Sequence, residues 1–270
     1  MKRFAANRQL RNLWLLGWLA LSVAPAAWAQ EIVITWPGER ELVEGRTYTL
    51  EWLAGGASTV NILIDGMRTP LGAKSRGPFV IVLATGVPAA EGEYEFVLPW
   101  IDVIEFRIKI KGYDPSGYQV SIGERSYAFR PAVLADRTAD GIYLDLHERT
   151  NQRLYVQKDR RITRVYLSSS SENYLWTAPD RHLKKPHDHA GVFKVLEKYR
   201  SHWSRLFDVR MPWAMRYHSG HYIHATSPNL YRLLGRPASH GCNRLTREDA
   251  RELYEMTPIG TRVEVIGPIE

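Results

Sequence analysis

The segment Phe106-Arg107-Ile108-Lys109-Ile110 alternates apolar and basic side chains and ends at Gly112. Successive side chains of a β-strand point to opposite faces of a sheet, so this period of two predicts a strand with one buried face. Other short segments with strand character end at turn residues, namely residues 31–36, 47–52, 60–64, 79–83 and 94–98. We expect residues 79–83 to be a buried strand and Asp65-Gly66 to form a turn. This spacing predicts a β-sandwich over residues 30–128.

A second β-rich unit is predicted over residues 142–268, after a linker at 129–141 that contains Pro131 and Asp140-Gly141. Its strands are expected at 142–146, 153–157, 162–167, 191–196, 216–224 and 261–266, and Ser168–Ser171 reads as a strand-end loop. A single helix is expected to begin at Thr246-Arg247-Glu248-Asp249, which resembles a capping box. The chain is therefore predicted to be mainly β, with one short helix near its end.

Residues 1–29 are predicted to be a secretory signal peptide. A cationic start precedes a short apolar stretch, and Ala27-Trp28-Ala29 gives a cleavage site before Gln30. The apolar stretch is too short to span a membrane comfortably, and no later segment is long enough. We therefore expect an exported protein of the periplasm or cell envelope, with no transmembrane segment after signal cleavage.

The formal net charge of +7 falls to +3 for residues 30–270, because four basic residues and no acidic residue lie in the predicted signal. This excess is modest, and no basic stripe with interleaved aromatic side chains accompanies it. The sequence therefore gives no indication of nucleic-acid binding. A mild positive charge would suit an anionic cell-wall polymer, although most such excess is only a solvated surface.

The one cysteine of the chain, Cys242, lies in the run Ser239-His240-Gly241-Cys242-Asn243-Arg244-Leu245. It has no second cysteine for a disulfide within the chain, and an unpaired cysteine in an exported protein indicates a reactive thiol or an intermolecular bond. A cysteine nucleophile needs a base, a turn that exposes it and N–H groups aimed at the oxyanion. His224, which lies 18 residues before Cys242, is predicted to be the base, oriented by a nearby backbone carbonyl.

These residues resemble the signature of the L,D-transpeptidase (YkuD-like) catalytic domain: Ser239-His240-Gly241-Cys242-x-Arg244 with His224 upstream. Residues 142–146, 154–156, 191–195, 211–213 and 222–224 are also similar to strands of that family. Elsewhere, Trp36-Pro37, Gly45 and the strands at 50–52, 92–94, 98–99 and 106–108 resemble an immunoglobulin-like domain. For this N-terminal domain we expect a binding or spacing role.

The resemblance implies a peptidoglycan enzyme that needs no cofactor. Cys242 would form an acyl-enzyme with a stem peptide and transfer it to an amine of a second stem or of a protein; such enzymes are targets of carbapenems. His224 would act as base and later as acid, with oxyanion or loop contacts from His240 and Gly241. Substrate-binding candidates are Ser239, Arg244, Tyr222, Trp213 and His218. The family usually has an apolar residue where Asn243 stands, and this position is where we expect a change in donor or acceptor preference to be encoded.

Three other functions remain open. His218, His221 and His224, with His182, His187 and His189, could instead ligate zinc in a wall peptidase, and an L,D-carboxypeptidase would pass the acyl group to water. A non-catalytic wall-binding protein is the third reading. For most of these histidines, polar surface or groove lining is the simpler interpretation.

Overall fold

The computed structural model describes residues 31–68, 77–171, 176–177, 183–184 and 189–267. The predicted signal peptide, His182 and His187 lie outside these residues. Across the described ranges, no helix has the length and apolar character needed to cross a membrane. The expectation of a mainly β protein is confirmed, and the helix after Cys242 is its one α-helix within those ranges.

The N-terminal half is a β-sandwich of two sheets. Its strands are β1 (Val33–Trp36), β2 (Glu41–Val43), β3 (Thr47–Leu53), β4 (Thr59–Met67), β5 (Pro78–Pro88), β6 (Glu93–Val97), β7 (Glu105–Tyr113) and β8 (Gln119–Arg130). One sheet has the order β1-β3-β6 and the other the order β2-β8-β7-β4-β5. The alternating segment that predicted a strand is the middle of β7.

The core of the sandwich lies between these sheets. Trp52 and Phe96 come from the smaller sheet, and Ile64, Ile108 and Phe129 come from the larger one. Burying a large apolar side chain of this kind stabilises the fold by roughly 1.5–3 kcal/mol. The period of two in β7 places Phe106, Ile108 and Ile110 in this core.

The second half contains β9 (Gly141–Asp145), β10 (Arg153–Lys158), β11 (Arg161–Leu167), β12 (Trp176–Thr177), β13 (Leu183–Lys184), β14 (Gly191–Lys194), β15 (Glu197–Ser204), β16 (Val209–His218), β17 (His221–Ala225), β18 (Asn243–Leu245), α1 (Arg247–Met256) and β19 (Arg262–Ile266). One sheet has the order β11-β10-β9-β19-β14, and a second has the order β15-β16-β17-β18. Strands β12 and β13 pair with each other. The second sheet carries both His224 and the start of the segment after Cys242.

A single core joins these two sheets and the helix. Met215, Tyr217 and Ile223 point from the second sheet into this core, where Ala250 and Leu253 of α1 meet them. The helix begins as the sequence predicts, because the Thr246 hydroxyl accepts a hydrogen bond from the Asp249 N–H at 3.1 Å. The other face of the second sheet is therefore the one available for chemistry.

Two strand predictions for the sandwich are wrong. Asp65-Gly66 does not form a turn, because Asp65 pairs with Arg107 and Lys109 of the neighbouring strand and β4 continues to Met67. Residues 79–83 do not form a buried strand, because β5 is at the edge of its sheet and exposes Val80 and Val82.

Two predictions for the second half also need correction. Residues 216–224 are not one strand, because a turn at Ser219-Gly220 divides them between β16 and β17. Strand β8 runs to Arg130, two residues into the predicted linker. The linker then packs inward, and Val133 and Leu134 join a core cluster with Tyr143 and Tyr155.

Candidate active site

Cys242 lies at the end of a tight turn, immediately before β18. Gly241 has φ +126°, a backbone conformation that favours glycine. The fully buried Ser239 hydroxyl donates to the Cys242 carbonyl at 2.6 Å and accepts from the Gly241 N–H at 3.2 Å. The thiol itself is partly exposed, with Sγ 3.9 Å from the Gly220 carbonyl oxygen. Ser239 therefore shapes the turn that presents Cys242.

The serine run 168–171 holds this turn from the other side. Ser169 and Arg244 exchange backbone hydrogen bonds of 3.1 and 2.9 Å, and the Ser170 carbonyl accepts from the N–H groups of Ala238 and Ser239. All four serines are buried. The sequence predicted a strand-end loop here, but nothing in the serine residues themselves indicated that this loop would pair with the cysteine turn.

His224 is buried on β17, one strand away from the cysteine segment. Parallel pairing places His224 opposite Arg244 and Ile223 opposite Asn243. The imidazole Nδ1 lies 2.8 Å from the Ala225 carbonyl oxygen, and since a carbonyl can only accept, Nδ1 carries the proton. This leaves Nε2 as the acceptor, and the orienting group is a backbone carbonyl, as expected from the sequence.

The electrostatic surroundings keep the His224 ring neutral. The pKa of His224 is lowered to about 4, mainly by burial and in part by the charges of Arg244 and His202, which together outweigh the opposing effect of the Ala225 carbonyl. At neutral pH the ring is therefore uncharged and able to accept a proton.

Four residues form a row across the second sheet on the face opposite the helix. Glu197 pairs with Arg216, Arg216 pairs with Tyr222, and the register of β17 and β18 places Tyr222 opposite Cys242. The pKa of Tyr222 is raised, first by burial and also by the charge of Cys242, which agrees with this proximity. Directly paired residues project to the same side of a sheet, so Tyr222 lies beside the thiol, and its role in binding substrate stays a prediction.

The hairpin of β15 and β16 folds over this face. His202 stacks on Tyr222 with ring centroids 4.9 Å apart, and Phe207 near the hairpin tip lies 5.0 Å from the His240 ring. Aromatic side chains thus border the thiol on the hairpin side. Sequence analysis did not find His202 or Phe207, because β15 itself was not predicted.

Several predicted site residues lie elsewhere or have other contacts. Trp213 packs in the core against Tyr254 of α1, on the side of the sheet away from Tyr222, so its prediction as a substrate-binding residue is wrong. Arg244 donates to the Ala238 carbonyl at 2.6 Å, a contact that shapes the loop. The Gly241 N–H already bonds Ser239, so an oxyanion contact from it would compete with that bond.

Asn243 also has a structural position. It is fully buried on the helix side of the sheet, and its amide donates to the Tyr217 hydroxyl at 3.0 Å. Neighbouring residues in a strand point to opposite faces, so Asn243 points away from Cys242. This position contradicts the expectation that Asn243 sets the donor preference through contact with substrate.

Three histidines cluster beside the cysteine turn. The ring of His189 lies 4.9 Å from that of His218 and 4.8 Å from that of His221. A β-bulge between Arg216 and His218 turns the His218 side chain toward Phe193. His218 therefore does not lie on the same face as His224, although the two would share a face in one continuous strand. His221 covers Gly241: a β-carbon built on this glycine would lie 3.4 Å from His221 Nε2. Among the described residues, no group of histidine, cysteine or acidic side chains has a geometry that could hold a metal ion.

Comparison with known proteins gives a specific match for the second half. Residues 140–265 match the L,D-transpeptidase catalytic domain (YkuD). No curated protein matches the chain.

Solved structures give weaker similarity. An L,D-transpeptidase from Stackebrandtia nassauensis is 25% identical to this chain, with a TM-score of 0.40. The alignment covers 49% of this chain and 60% of the Stackebrandtia chain. One from Xylanimonas cellulosilytica is 24% identical over 48% of this chain and 62% of its own, with a TM-score of 0.42. One from Mycobacterium smegmatis is 14% identical over 88% of this chain and 100% of its own, with a TM-score of 0.39.

This chain thus spans about 60% of the length of the first two structures. Because the TM-scores are low, the assignment rests on the sequence match, which includes His224 and Cys242. Residues 140–265 of this chain belong to the YkuD family of L,D-transpeptidase catalytic domains.

Proposed function

We propose that the protein is an exported peptidoglycan L,D-transpeptidase with Cys242 as nucleophile and His224 as base. The observation that carries this proposal is a partly exposed thiol at the end of a glycine turn, one strand from a buried and neutral imidazole. A thiol becomes a strong nucleophile once a base removes its proton, and a neutral histidine is suited to do so.

The proposed reaction has two stages. His224 Nε2 takes the thiol proton as Sγ attacks a stem-peptide carbonyl carbon. The oxyanion accepts hydrogen bonds from backbone N–H groups of the 240–242 turn, among which that of Gly241 would exchange its bond to Ser239. The carbon–nitrogen bond to the terminal D-amino acid then breaks, and His224 returns the proton to the leaving amine. An acceptor amine attacks the thioester, loses a proton to His224 and releases the thiolate.

Accumulation of the acyl-enzyme provides the test. Intact mass spectrometry after exposure to a carbapenem should show one stable adduct on the wild type, and peptide mapping should place it on Cys242. The Cys242→Ala variant should remain unmodified. If the wild type forms no adduct, or if the adduct persists in Cys242→Ala, this assignment is wrong.

The acceptor is proposed to be an amine of a second stem or of a protein. Transfer to water is the second candidate, because the thiol is partly exposed. Purified protein incubated with a tetrapeptide donor and an amine acceptor should yield cross-linked product, whereas tripeptide alone would indicate hydrolysis. A chelator should leave either activity unchanged. Loss of activity in the presence of the chelator would favour a zinc peptidase.

A further inference from the structure

A buried glutamine outside the candidate active site holds the serine run 168–171. Gln152 is 1% exposed and directly precedes β10. Its Oε1 accepts a hydrogen bond from the Ser170 N–H at 2.8 Å, and its Nε2 donates to the Ser170 hydroxyl at 2.7 Å. Its main-chain carbonyl accepts from the Ser168 N–H at 3.0 Å. Gln152 therefore fixes the residues on both sides of Ser169.

The serine run in turn holds the segments before and after the nucleophile. Before Cys242, the Ser170 carbonyl accepts a hydrogen bond from the Ser239 N–H at 2.9 Å. After Cys242, Ser169 and Arg244 exchange backbone hydrogen bonds of 3.1 and 2.9 Å. Cys242 therefore lies between two segments that are both bonded to the serine run.

Gln152 is itself anchored to the sheet that does not carry Cys242. Its Nε2 also donates to the Leu146 carbonyl at 3.0 Å, and its N–H donates to the His147 carbonyl at 3.2 Å. The strand that it precedes, β10, pairs with β9 on one side and with β11 on the other. Gln152 therefore connects the serine run to an inner strand of the five-stranded sheet.

The position of Gln152 is costly for this residue type. Its φ is +42°, in the left-handed region that side chains such as glutamine rarely adopt. A buried amide also costs free energy unless it is hydrogen-bonded, and here both Nε2 hydrogens and Oε1 have partners. A strained, buried and fully bonded polar side chain of this kind is typical of a functional constraint.

We propose that Gln152 is a positioning residue for the candidate active site, and that it acts on the Cys242 thiol through Ser170 and Ser239. The chemistry stays with Cys242 and His224, and Gln152 sets the geometry in which they meet. A displacement of about 1 Å from the productive geometry can lower a rate roughly 100-fold, so a fixed turn matters for acylation. This inference rests on the proposed function, because it concerns the same nucleophile.

The test separates the limiting rate of acylation from the binding of a carbapenem. Gln152→Met keeps a similar side-chain volume but cannot replace the amide hydrogen bonds. Stopped-flow acylation of the whole protein over a range of carbapenem concentrations should show a limiting rate reduced roughly 10- to 100-fold. The half-saturating concentration should stay within about twofold, because binding is not the step affected. A limiting rate equal to that of the wild type would overturn the inference.

Gln157 provides a matched control on the same strand. It is 2% exposed and also makes three side-chain hydrogen bonds, which go to Arg130, Arg137 and Ala139 instead of the serine run. Gln157→Met should lower the Tm as Gln152→Met does, because similar buried contacts are lost, but should leave the limiting rate unchanged. An equal loss of rate in both variants would indicate general destabilisation and would overturn the inference.

A second variant covers the case in which Gln152→Met does not fold. Asparagine adopts the left-handed backbone conformation more readily than most residues, so Gln152→Asn relieves strain at this position. Its side chain is one methylene shorter, which takes the amide away from Ser170. The limiting rate should fall in this variant too, and a wild-type rate would overturn the inference.

A double substitution tests whether Gln152 acts through the turn. Gln152→Met and Ser239→Ala affect the same network, so the loss of rate in the double variant should be smaller than the product of the two single losses. Losses that multiply would show that Gln152 acts independently of Ser239 and would overturn the inference. The carbapenem adduct on the wild type tests the proposed function separately, because its formation requires Cys242 and no substitution of Gln152.

Discussion

The two halves of the chain differ in where they bury polar side chains. Among the described residues of the sandwich, Glu44, Ser121 and Arg130 are the buried polar ones. The second half buries many more, and those around the cysteine turn are Ser168, Ser169, Ser170, Ser171, His224, Ser239 and Asn243. A buried polar group costs free energy unless it is hydrogen-bonded, so such a concentration is typical of a functional site.

The difference shows how each half holds its shape. The sandwich relies on apolar packing between two sheets, and the ion pair of Asp65 with Lys109 lies on the outer face of the larger sheet. The cysteine turn instead depends on specific hydrogen bonds from Ser239, Ser169 and Ser170. Substitutions at the turn should therefore affect acylation of Cys242, whereas those in the sandwich should affect stability alone.

The largest expected effect comes from His224→Ala. Removal of a general base slows proton transfer by roughly 100- to 10,000-fold. Stopped-flow acylation by a carbapenem should show a loss in this range while circular dichroism shows an intact fold. An unchanged acylation rate would refute the assignment of His224 as base, and His221→Ala is the control for loss of a nearby imidazole.

A second substitution tests the shape of the turn. Ser239→Ala removes the bonds to the Cys242 carbonyl and the Gly241 N–H, which should cost about 1–3 kcal/mol of unfolding free energy. Acylation should slow as well, because the thiol loses its fixed position. The expected result is a slower acylation together with a lowered Tm. Ser227→Ala on the surface is the control. Wild-type acylation in Ser239→Ala would show that this hydroxyl does not position the thiol.

A smaller effect is expected on the other face of the same sheet. Tyr217→Phe leaves the buried Asn243 amide without its partner and should cost about 1–2 kcal/mol by urea unfolding. Asn243→Leu with Tyr217→Phe should cost less than the sum of the two single changes. Donor preference should stay the same in all three variants. A changed preference in Asn243→Leu would restore the role that the sequence suggested.

The smallest effect is expected in the sandwich. Burial alone would raise the pKa of Asp65, but hydrogen bonds from Lys109 and Arg107 outweigh it and lower the pKa. The stabilisation is therefore present at neutral pH and is lost as pH falls through the lowered pKa. Asp65→Asn should cost at most about 1 kcal/mol of unfolding free energy at pH 7. Its acylation rate should equal that of the wild type, and a slower rate would mean that the two halves are coupled.

Local sequence signals predicted those features that depend on neighbouring residues. The alternation at 106–110 predicted β7, and Thr246 predicted the start of the helix, because both patterns reflect short-range geometry. The missed features depend on distant partners. Asp65 lies within a strand because Arg107 and Lys109 pair with it, and the hairpin that contains His202 was hidden because residues 197–204 carry no clear alternation of apolar and polar side chains.

The same distinction holds for the candidate site. Cys242, Gly241 and His224 stand out by residue type and spacing, and the backbone carbonyl that orients His224 was expected from the lack of a nearby acidic residue. Glu197 and Arg216 were not predicted, because their place in the row with Tyr222 and Cys242 depends on the registers of three strand pairs. Trp213 was misplaced because its chemical character gives no indication of which face it occupies.

The pH dependence of acylation tests the central claim, a thiol activated by a neutral buried imidazole. Burial lowers the His224 pKa to about 4, so the base remains uncharged as the pH falls from 7. The carbapenem acylation rate of the wild type should hold near its plateau through mildly acidic pH and reach half of that value only near pH 4. A half-maximal rate at the ordinary histidine pKa of about 6.5 would contradict the account.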